Sequence, residues 1–96
     1  MQKGLNMRYI YYYTNGCPIC DEVESVLQSW IPNQYIKIRH GKSHIPGKSV
    51  LYLPDGPTVI DDDVIPAIPA LYDKTAESLH VGDRAIYGNL GVDGEA

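Results

Sequence analysis

Residues 7–14 read "MRYIYYYT", and this stretch constrains the fold more than any other. It is β-branched and aromatic with a single charge, which is the pattern of a strand buried on both faces in a mostly parallel sheet. A chain of 96 residues buries little more than about 60% of its unfolded surface, so it supports one hydrophobic core. We therefore predict a single domain over residues 7–90, with a disordered or frayed N-terminus at 1–6 and a tail at 91–96.

The next segment predicts a helix followed by a second strand. Pro18 suits the first position of a helix, and Pro32 ends one. Between them, apolar side chains recur at the spacing of an amphipathic helix: Val23, Val26, Leu27, Trp30 and Ile31. The following residues, "QYIKIR" at 34–39, alternate polar and apolar in the manner of a half-buried strand. The first half of the chain is thus predicted to be a strand–helix–strand unit, with the helix at about 18–31.

The second half predicts a different organisation. Residues 40–65 are rich in proline and glycine and show no helical period, so we expect a loop containing a hairpin of 49–53 with 58–61 around the turn "PDGP". Further on, "PALYD" and "SLHV" read as two strands joined by the polar turn "KTAE", and a short helix is expected within 82–90.

Composition narrows the classes of partner. The formal net charge is -4 and the sequence pI is near 5.1, so the chain lacks the basic field that nucleic acid or an anionic membrane would require. No apolar run approaches the roughly 20 residues that span a bilayer, and the N-terminus lacks a secretory apolar stretch. We expect a cytoplasmic monomer whose partners are proteins or small molecules.

The only two cysteines, Cys17 and Cys20, lie in "YTNGCPIC" between the buried strand and the helix. Both thiols therefore fall at the start of the helix, where free backbone N–H groups and the positive end of the helix dipole stabilise a thiolate. We predict that Cys17 is the nucleophile of a thiol–disulfide exchange reaction. Cys20, one turn later, is predicted to be the more buried, resolving thiol.

With these residues in view, "YYYTNGCPICDEVESVL" together with "AIPALYD" resembles the glutaredoxins and glutaredoxin-like thioredoxins. The resemblance covers about 7–39 and 66–90. It implies an α/β, thioredoxin-like (glutaredoxin-type) fold, in which a four-stranded mixed sheet is flanked by helices. The second helix of the family would be replaced here by the loop or hairpin of 40–65. It also implies a disulfide oxidoreductase that takes part in electron transport and cell redox homeostasis.

The resemblance implies roles for further residues. Pro69 matches the cis-proline of the family, with Pro66 as the competing candidate, and the backbone of Ile68 would pair with the bound thiol compound or peptide. Gly82 and Asp83 resemble the turn and acidic residue that hold the γ-glutamyl end of glutathione. The remaining residues expected to border the substrate are Tyr13, Thr14, Pro18 and Ile19. Thr14 stands where the family usually has Lys or Arg, and Ile19 where it usually has Tyr.

The resemblance also implies the partners of the reaction. No bound cofactor and no metal are expected. The substrates would be disulfides of proteins, with a ribonucleotide reductase as one target, or mixed disulfides with glutathione. Electrons would come either from glutathione as a co-substrate or from a thioredoxin-reductase-type enzyme.

Two other interpretations of the cysteine pair stay open. Cys17 and Cys20 with His40 and His44 have the residue types and pair spacings of a Cys2His2 zinc-binding module, although 19 residues separate the two pairs. The second alternative is a redox-inactive thioredoxin-fold interaction module, which keeps the fold and has lost the activity.

Overall fold

The computed structural model describes residues 7–92, and these form one sheet and two helices. The strands are β1 (Tyr9–Tyr13), β2 (Tyr35–Lys42), β3 (Lys48–Leu53), β4 (Gly56–Asp61), β5 (Ala70–Asp73) and β6 (Ser78–Val81). The helices are α1 (Pro18–Trp30), between β1 and β2, and α2 (Asp83–Leu90), after β6. The predicted frayed end at 1–6 lies outside the described residues, as do residues 93–96 of the predicted tail. Gly91 and Val92 are described and close the last turn of α2.

The six strands form one mixed sheet in the order β4-β3-β2-β1-β5-β6. β1 is parallel to β2, and every other neighbouring pair is antiparallel. β1 is central: Tyr12 lies opposite Ile38 of β2 on one side and opposite Ala70 of β5 on the other. The strand–helix–strand unit predicted from "MRYIYYYT" and its helical stripe is therefore confirmed.

The predicted four-stranded, thioredoxin-like sheet is wrong, because the sheet has six strands. β2 continues beyond Arg39 to Lys42, and its last four residues pair with β3. The hairpin predicted within 40–65 is present as β3 and β4, but it extends the sheet instead of replacing a helix beside it. The backbone hydrogen bonds of this extension do not depend on an apolar pattern, so "HGK" at the end of β2 did not signal it.

Both helices pack on the same face of the sheet, which we call the helix face. Tyr9 and Tyr11 of β1 and Leu71 of β5 meet Val23 and Leu27 of α1 there, and α2 adds Ile86. A second core lies on the opposite face, where Ile65 and Ile68 from the segment before β5 cover Ile38, Leu51 and Ala70. Burying one such leucine or isoleucine contributes about 1.5–3 kcal/mol. No helix within residues 7–92 is both long and apolar enough to cross a membrane.

A buried carboxylate at the end of β5 binds the residue that precedes β1. Asp73, which is 1% exposed, accepts hydrogen bonds from Nε and Nη2 of Arg8, each at 3.2 Å, and from the backbone N–H groups of Thr75 and Ala76. The hydrogen bonds from Arg8 are the main reason why the pKa of the Asp73 carboxyl lies below its ordinary value, and burial opposes this lowering. The ionised form is therefore the one that the fold stabilises.

We expect Asp73→Ala to lower the free energy of unfolding by about 2 kcal/mol or more, because it leaves Arg8 and two turn N–H groups without their acceptor. Since the folded pKa is lowered, this contribution is complete above the pKa of an unfolded aspartate, about 3.9, and is lost as the pH falls through the lower folded value. Urea unfolding from pH 2 to pH 7 measures both effects. Asp63→Ala, at an exposed position, should change little, and equal losses for the two variants would contradict the assignment.

Candidate active site: the disulfide at the start of α1

The turn between β1 and α1 places Cys17 at the end of the sheet. Asn15 and Gly16 make the turn, and Gly16 has φ of 69°, a left-handed conformation that glycine adopts without a steric penalty. Cys17 itself is extended, with φ of -119° and ψ of 100°, and is the N-cap of the helix that Pro18 begins. Extended backbone at the N-cap and proline at the first helical position are both favourable, so the local sequence accounts for the position of the cysteines.

Cys17 and Cys20 form a disulfide, with their Cα atoms 5.2 Å apart. The backbone N–H of Cys20 donates a hydrogen bond to Sγ of Cys17 at 3.1 Å. Cys17 is half-buried, whereas Cys20 is 1% exposed. After reduction, the same N–H group and the helix dipole favour the thiolate on Cys17, and its partial exposure leaves it the accessible sulfur. This asymmetry is what a nucleophile and a resolving thiol require.

A buried hydroxyl ties the first turn of α1 to the central strand. Tyr11 is fully buried on the helix face, and its hydroxyl donates a 2.6 Å hydrogen bond to the carbonyl oxygen of Cys20. Burial raises the pKa of the Tyr11 hydroxyl above its ordinary value, and the nearby carboxylates of Glu24 and Asp21 add to this effect. Tyr11 therefore stays protonated and remains a donor throughout the physiological pH range.

The predicted substrate-binding residues come from three chain segments that end at the same edge of the sheet. Tyr13 ends β1 and Thr14 follows it, and Pro18 and Ile19 are exposed between the cysteines. Ala70 is paired both with Tyr12 of β1 and with Val81 of β6, so Pro69 lies beside the end of β1 and Gly82 beside Pro69. The N–H of Gly82 donates to the carbonyl oxygen of Pro69 at 2.8 Å. The Ile68–Pro69 peptide bond is cis.

Asp83 begins α2 directly after Gly82, which places it at this same edge. Ile68, which precedes Pro69, is half-buried in the core opposite the helix face. The topology thus gathers the sequence-predicted positions at the end of the sheet where the disulfide lies. It does so from segments around residues 13–19, 68–69 and 82–83.

The histidines of the zinc interpretation are not assembled with the cysteines. His40 lies in β2, where burial lowers the pKa of its imidazole, and His44 is exposed in the loop before β3. Among residues 7–92, no three or more His, Cys, Asp or Glu side chains are grouped in a way that could hold a metal ion.

Two features of the site had weaker signals in the sequence. Tyr11 could have been noticed because a tyrosine inside a buried strand needs a hydrogen-bond partner for its hydroxyl. Arg39 and Tyr52 are 13 residues apart in the sequence, with a proline- and glycine-rich loop between them, and they become neighbours only through the pairing of β2 with β3.

Comparison with protein-family models, with curated proteins and with solved structures finds no match to this chain.

We expect Tyr11→Phe to lower the free energy of unfolding by about 1 kcal/mol, because the Cys20 carbonyl loses a buried hydrogen bond while the ring volume is kept. Urea unfolding of the oxidised protein measures the change. Tyr13→Phe is the matched control, since Tyr13 lies two residues along the same strand face and its hydroxyl has no hydrogen bond among the described residues. A loss as large in the control would contradict the assignment.

The burial difference predicts that the two thiols react at different rates. In single-cysteine variants, iodoacetamide should modify Cys17 (in Cys20→Ser) about tenfold faster or more than Cys20 (in Cys17→Ser) at pH 7. The rate at Cys17 should reach half its maximum at a pH below about 8.5, because the helix start favours the thiolate. Mass spectrometry of quenched samples measures both rates, and equal rates would contradict the assigned roles.

Proposed function

We propose that this protein is a thiol–disulfide oxidoreductase that reduces disulfides of other proteins through Cys17 and Cys20. The observation that carries the proposal is the disulfide at the start of α1, in which the accessible sulfur receives a backbone hydrogen bond and its partner is buried. That arrangement suits a dithiol that cycles, because one sulfur is open to attack and the other stays close behind it.

The reaction balances with the two thiols of the reduced protein. The Cys17 thiolate attacks one sulfur of the target disulfide, so a bond from Cys17 to that sulfur forms while the target S–S bond breaks and its second sulfur leaves as a thiolate. Cys20 then loses its proton and attacks Sγ of Cys17, which releases the first target sulfur and forms the Cys17–Cys20 disulfide. The target gains two electrons and the protein loses two.

The other residues at the edge would orient the substrate. The resemblance to the glutaredoxins assigns the backbone of Ile68, beside Pro69, to pairing with the substrate. It assigns Gly82 and Asp83 to holding the γ-glutamyl end of glutathione. Tyr13, Thr14, Pro18 and Ile19 would form the apolar and polar border around the sulfurs. Because Thr14 supplies no cation, glutathione would lack one of its usual anchors, and a thioredoxin-reductase-type enzyme is an equal candidate for electron donor. A ribonucleotide reductase is among the targets that the resemblance suggests.

An enzyme that reduces disulfides works in a compartment that keeps thiols reduced, so we place this protein in the cytoplasm. The donor can be identified by offering the oxidised protein either glutathione with its reductase or a thioredoxin reductase with NADPH. Consumption of NADPH reports the reduction of the Cys17–Cys20 disulfide. The donor that supports this consumption identifies the class of electron donor that the protein uses.

We expect the protein to accelerate the reduction of insulin by dithiothreitol, measured as turbidity, because Cys17 would form and resolve mixed disulfides faster than the small reductant does. Cys17→Ser should abolish the acceleration, and Cys20→Ser should accumulate a mixed disulfide visible on non-reducing gels. Ser25→Ala, at an exposed position of the same helix, should keep full activity.

A wild-type rate equal to the uncatalysed rate would overturn the enzyme assignment. In that event, one equivalent of zinc in the purified protein and unfolding by a chelator would support the zinc-binding module. Binding of a partner that survives Cys17→Ser, with no zinc, would support the interaction module.

A further inference from the structure

Three side chains form a partly exposed surface on the helix face beside the disulfide, and we call it the Arg39 surface: half-buried Arg39 of β2, with exposed Tyr52 of β3 and Val59 of β4. Arg39 lies opposite Tyr52, and Val59 lies opposite Val50, so all point to the face on which the helices pack. The helices, however, pack on β1 and β5, and no side chain of β3 or β4 belongs to their core. Tyr52 and Val59 are consequently 39% and 51% exposed.

The guanidinium of Arg39 is held in place on the Tyr52 ring. Its central carbon lies 3.9 Å from the ring centroid. The ring also lies against the backbone of Gly41, where an added Cβ would stand 3.1 Å from Cε2 of Tyr52. Stacking restrains the plane of the guanidinium while leaving its N–H groups at the rim unoccupied, and such a planar group suits two parallel hydrogen bonds to a carboxylate.

The other cations on this part of the helix face are already paired. Lys37 is 2.9 Å from a carboxylate oxygen of Glu24, and Lys48 is paired with Asp61. Arg39 has an aromatic partner and, among residues 7–92, no carboxylate partner. It differs in this from the other cations of β2, β3 and β4 on this face. The positive charge of the surface is therefore local and uncompensated, in a chain whose formal net charge is -4.

The Arg39 surface lies at the level of the disulfide. The Lys37–Glu24 ion pair aligns β2 with α1, which run in opposite directions because α1 connects two parallel strands. Arg39 is two residues, or roughly 7 Å, further along β2, and this rise matches about four residues of helix. Four residues before Glu24 is Cys20. Arg39 is also directly opposite Tyr13, which ends the strand before the cysteines.

We infer that the Arg39 surface is the docking surface for an acidic segment of the target polypeptide, next to the disulfide that Cys17 attacks. A carboxylate of the target pairs with the guanidinium rim of Arg39, and an apolar side chain of the target covers the exposed parts of Tyr52 and Val59. Adjacent strands are about 4.8 Å apart, so the ring of Tyr52 lies about 10 Å from the β1 line, a distance that a few residues of extended chain span. This inference rests on the proposed disulfide-exchange function and names the substrate class of the same site.

The test uses single-turnover reactions of the reduced full-length protein with peptide disulfides. One peptide carries two glutamates and a leucine flanking its cysteine, the second carries glutamines in their place, and the third carries lysines. Wild type should react about fivefold faster with the glutamate peptide than with the glutamine peptide, the effect of one exposed charge-assisted contact, and slowest with the lysine peptide. The preference should shrink as sodium chloride is raised.

Arg39→Gln should abolish the preference for glutamate over glutamine. Lys42→Gln is the matched control, because Lys42 is on the same strand, has the same charge and points to the opposite face. It removes the same net charge, so the long-range field changes equally while the local contact stays, and the preference should persist. Arg39→Lys, which keeps the charge but loses the planar stack, should retain a reduced preference even if the glutamine variant folds poorly.

Equal rates for the glutamate and glutamine peptides in wild type, or equal effects of Arg39→Gln and Lys42→Gln, would overturn the docking surface. Reduction of the neutral disulfide of 2-mercaptoethanol by wild type and Lys42→Gln separates this failure from failure of the proposed function. If neither protein reduces it or any peptide, the oxidoreductase assignment fails, and the docking surface fails with it. If both reduce it without a charge preference for peptides, only the docking surface fails.

Discussion

The structure depends on the burial of β1. This strand is hydrogen-bonded on both sides, to β2 and β5, and its two faces supply both cores: Tyr9 and Tyr11 on the helix face, Ile10 and Tyr12 on the other. Its last residue sets where the turn to Cys17 begins, and the Tyr11 hydroxyl fixes the first turn of α1 over it. The position of the disulfide is therefore a consequence of core packing and not of a separate active-site loop.

The tyrosines of the chain also organise its cations. The chain has eight tyrosines and no phenylalanine, and three of the rings on the helix face carry a cation: Arg8 over Tyr9 at 4.9 Å, Lys37 over Tyr13 at 4.8 Å and Arg39 over Tyr52 at 3.9 Å. Each such contact contributes about 0.5–1 kcal/mol at an exposed site. Arg8 and Lys37 have a carboxylate as well, in Asp73 and Glu24. Arg39 differs because, within residues 7–92, it has a ring partner but no carboxylate partner.

Local features of the chain were predictable. The sequence predicts α1 at about 18–31, and the helix runs over Pro18–Trp30, because the signals for it are local: a proline at each end and an apolar stripe between them. The strand pair after Pro69 and its turn follow the same logic, as does the hairpin of β3 with β4. The predicted arrangement of these elements is wrong at β2. There His40, Gly41 and Lys42 continue the strand through backbone hydrogen bonds, which leave no pattern in side-chain polarity. Six strands in place of four follow from that extension.

The sequence by itself determined the chemistry of the first helical turn. Cys17, Pro18 and Cys20 are adjacent, so their geometry depends on the helix start alone, and the spacing places one sulfur at the N-cap and the other one turn later. Only the tertiary structure decided which distant residues share that edge: Pro69 and Gly82 arrive through strand pairing, and Tyr11 reaches Cys20 across the helix–sheet interface. It also decided that the helices pack on β1 and β5 and leave Tyr52 and Val59 exposed beside half-buried Arg39. The physical reason is that non-local contacts arise from the competition of all apolar faces for burial, and no short stretch of sequence records the outcome of that competition.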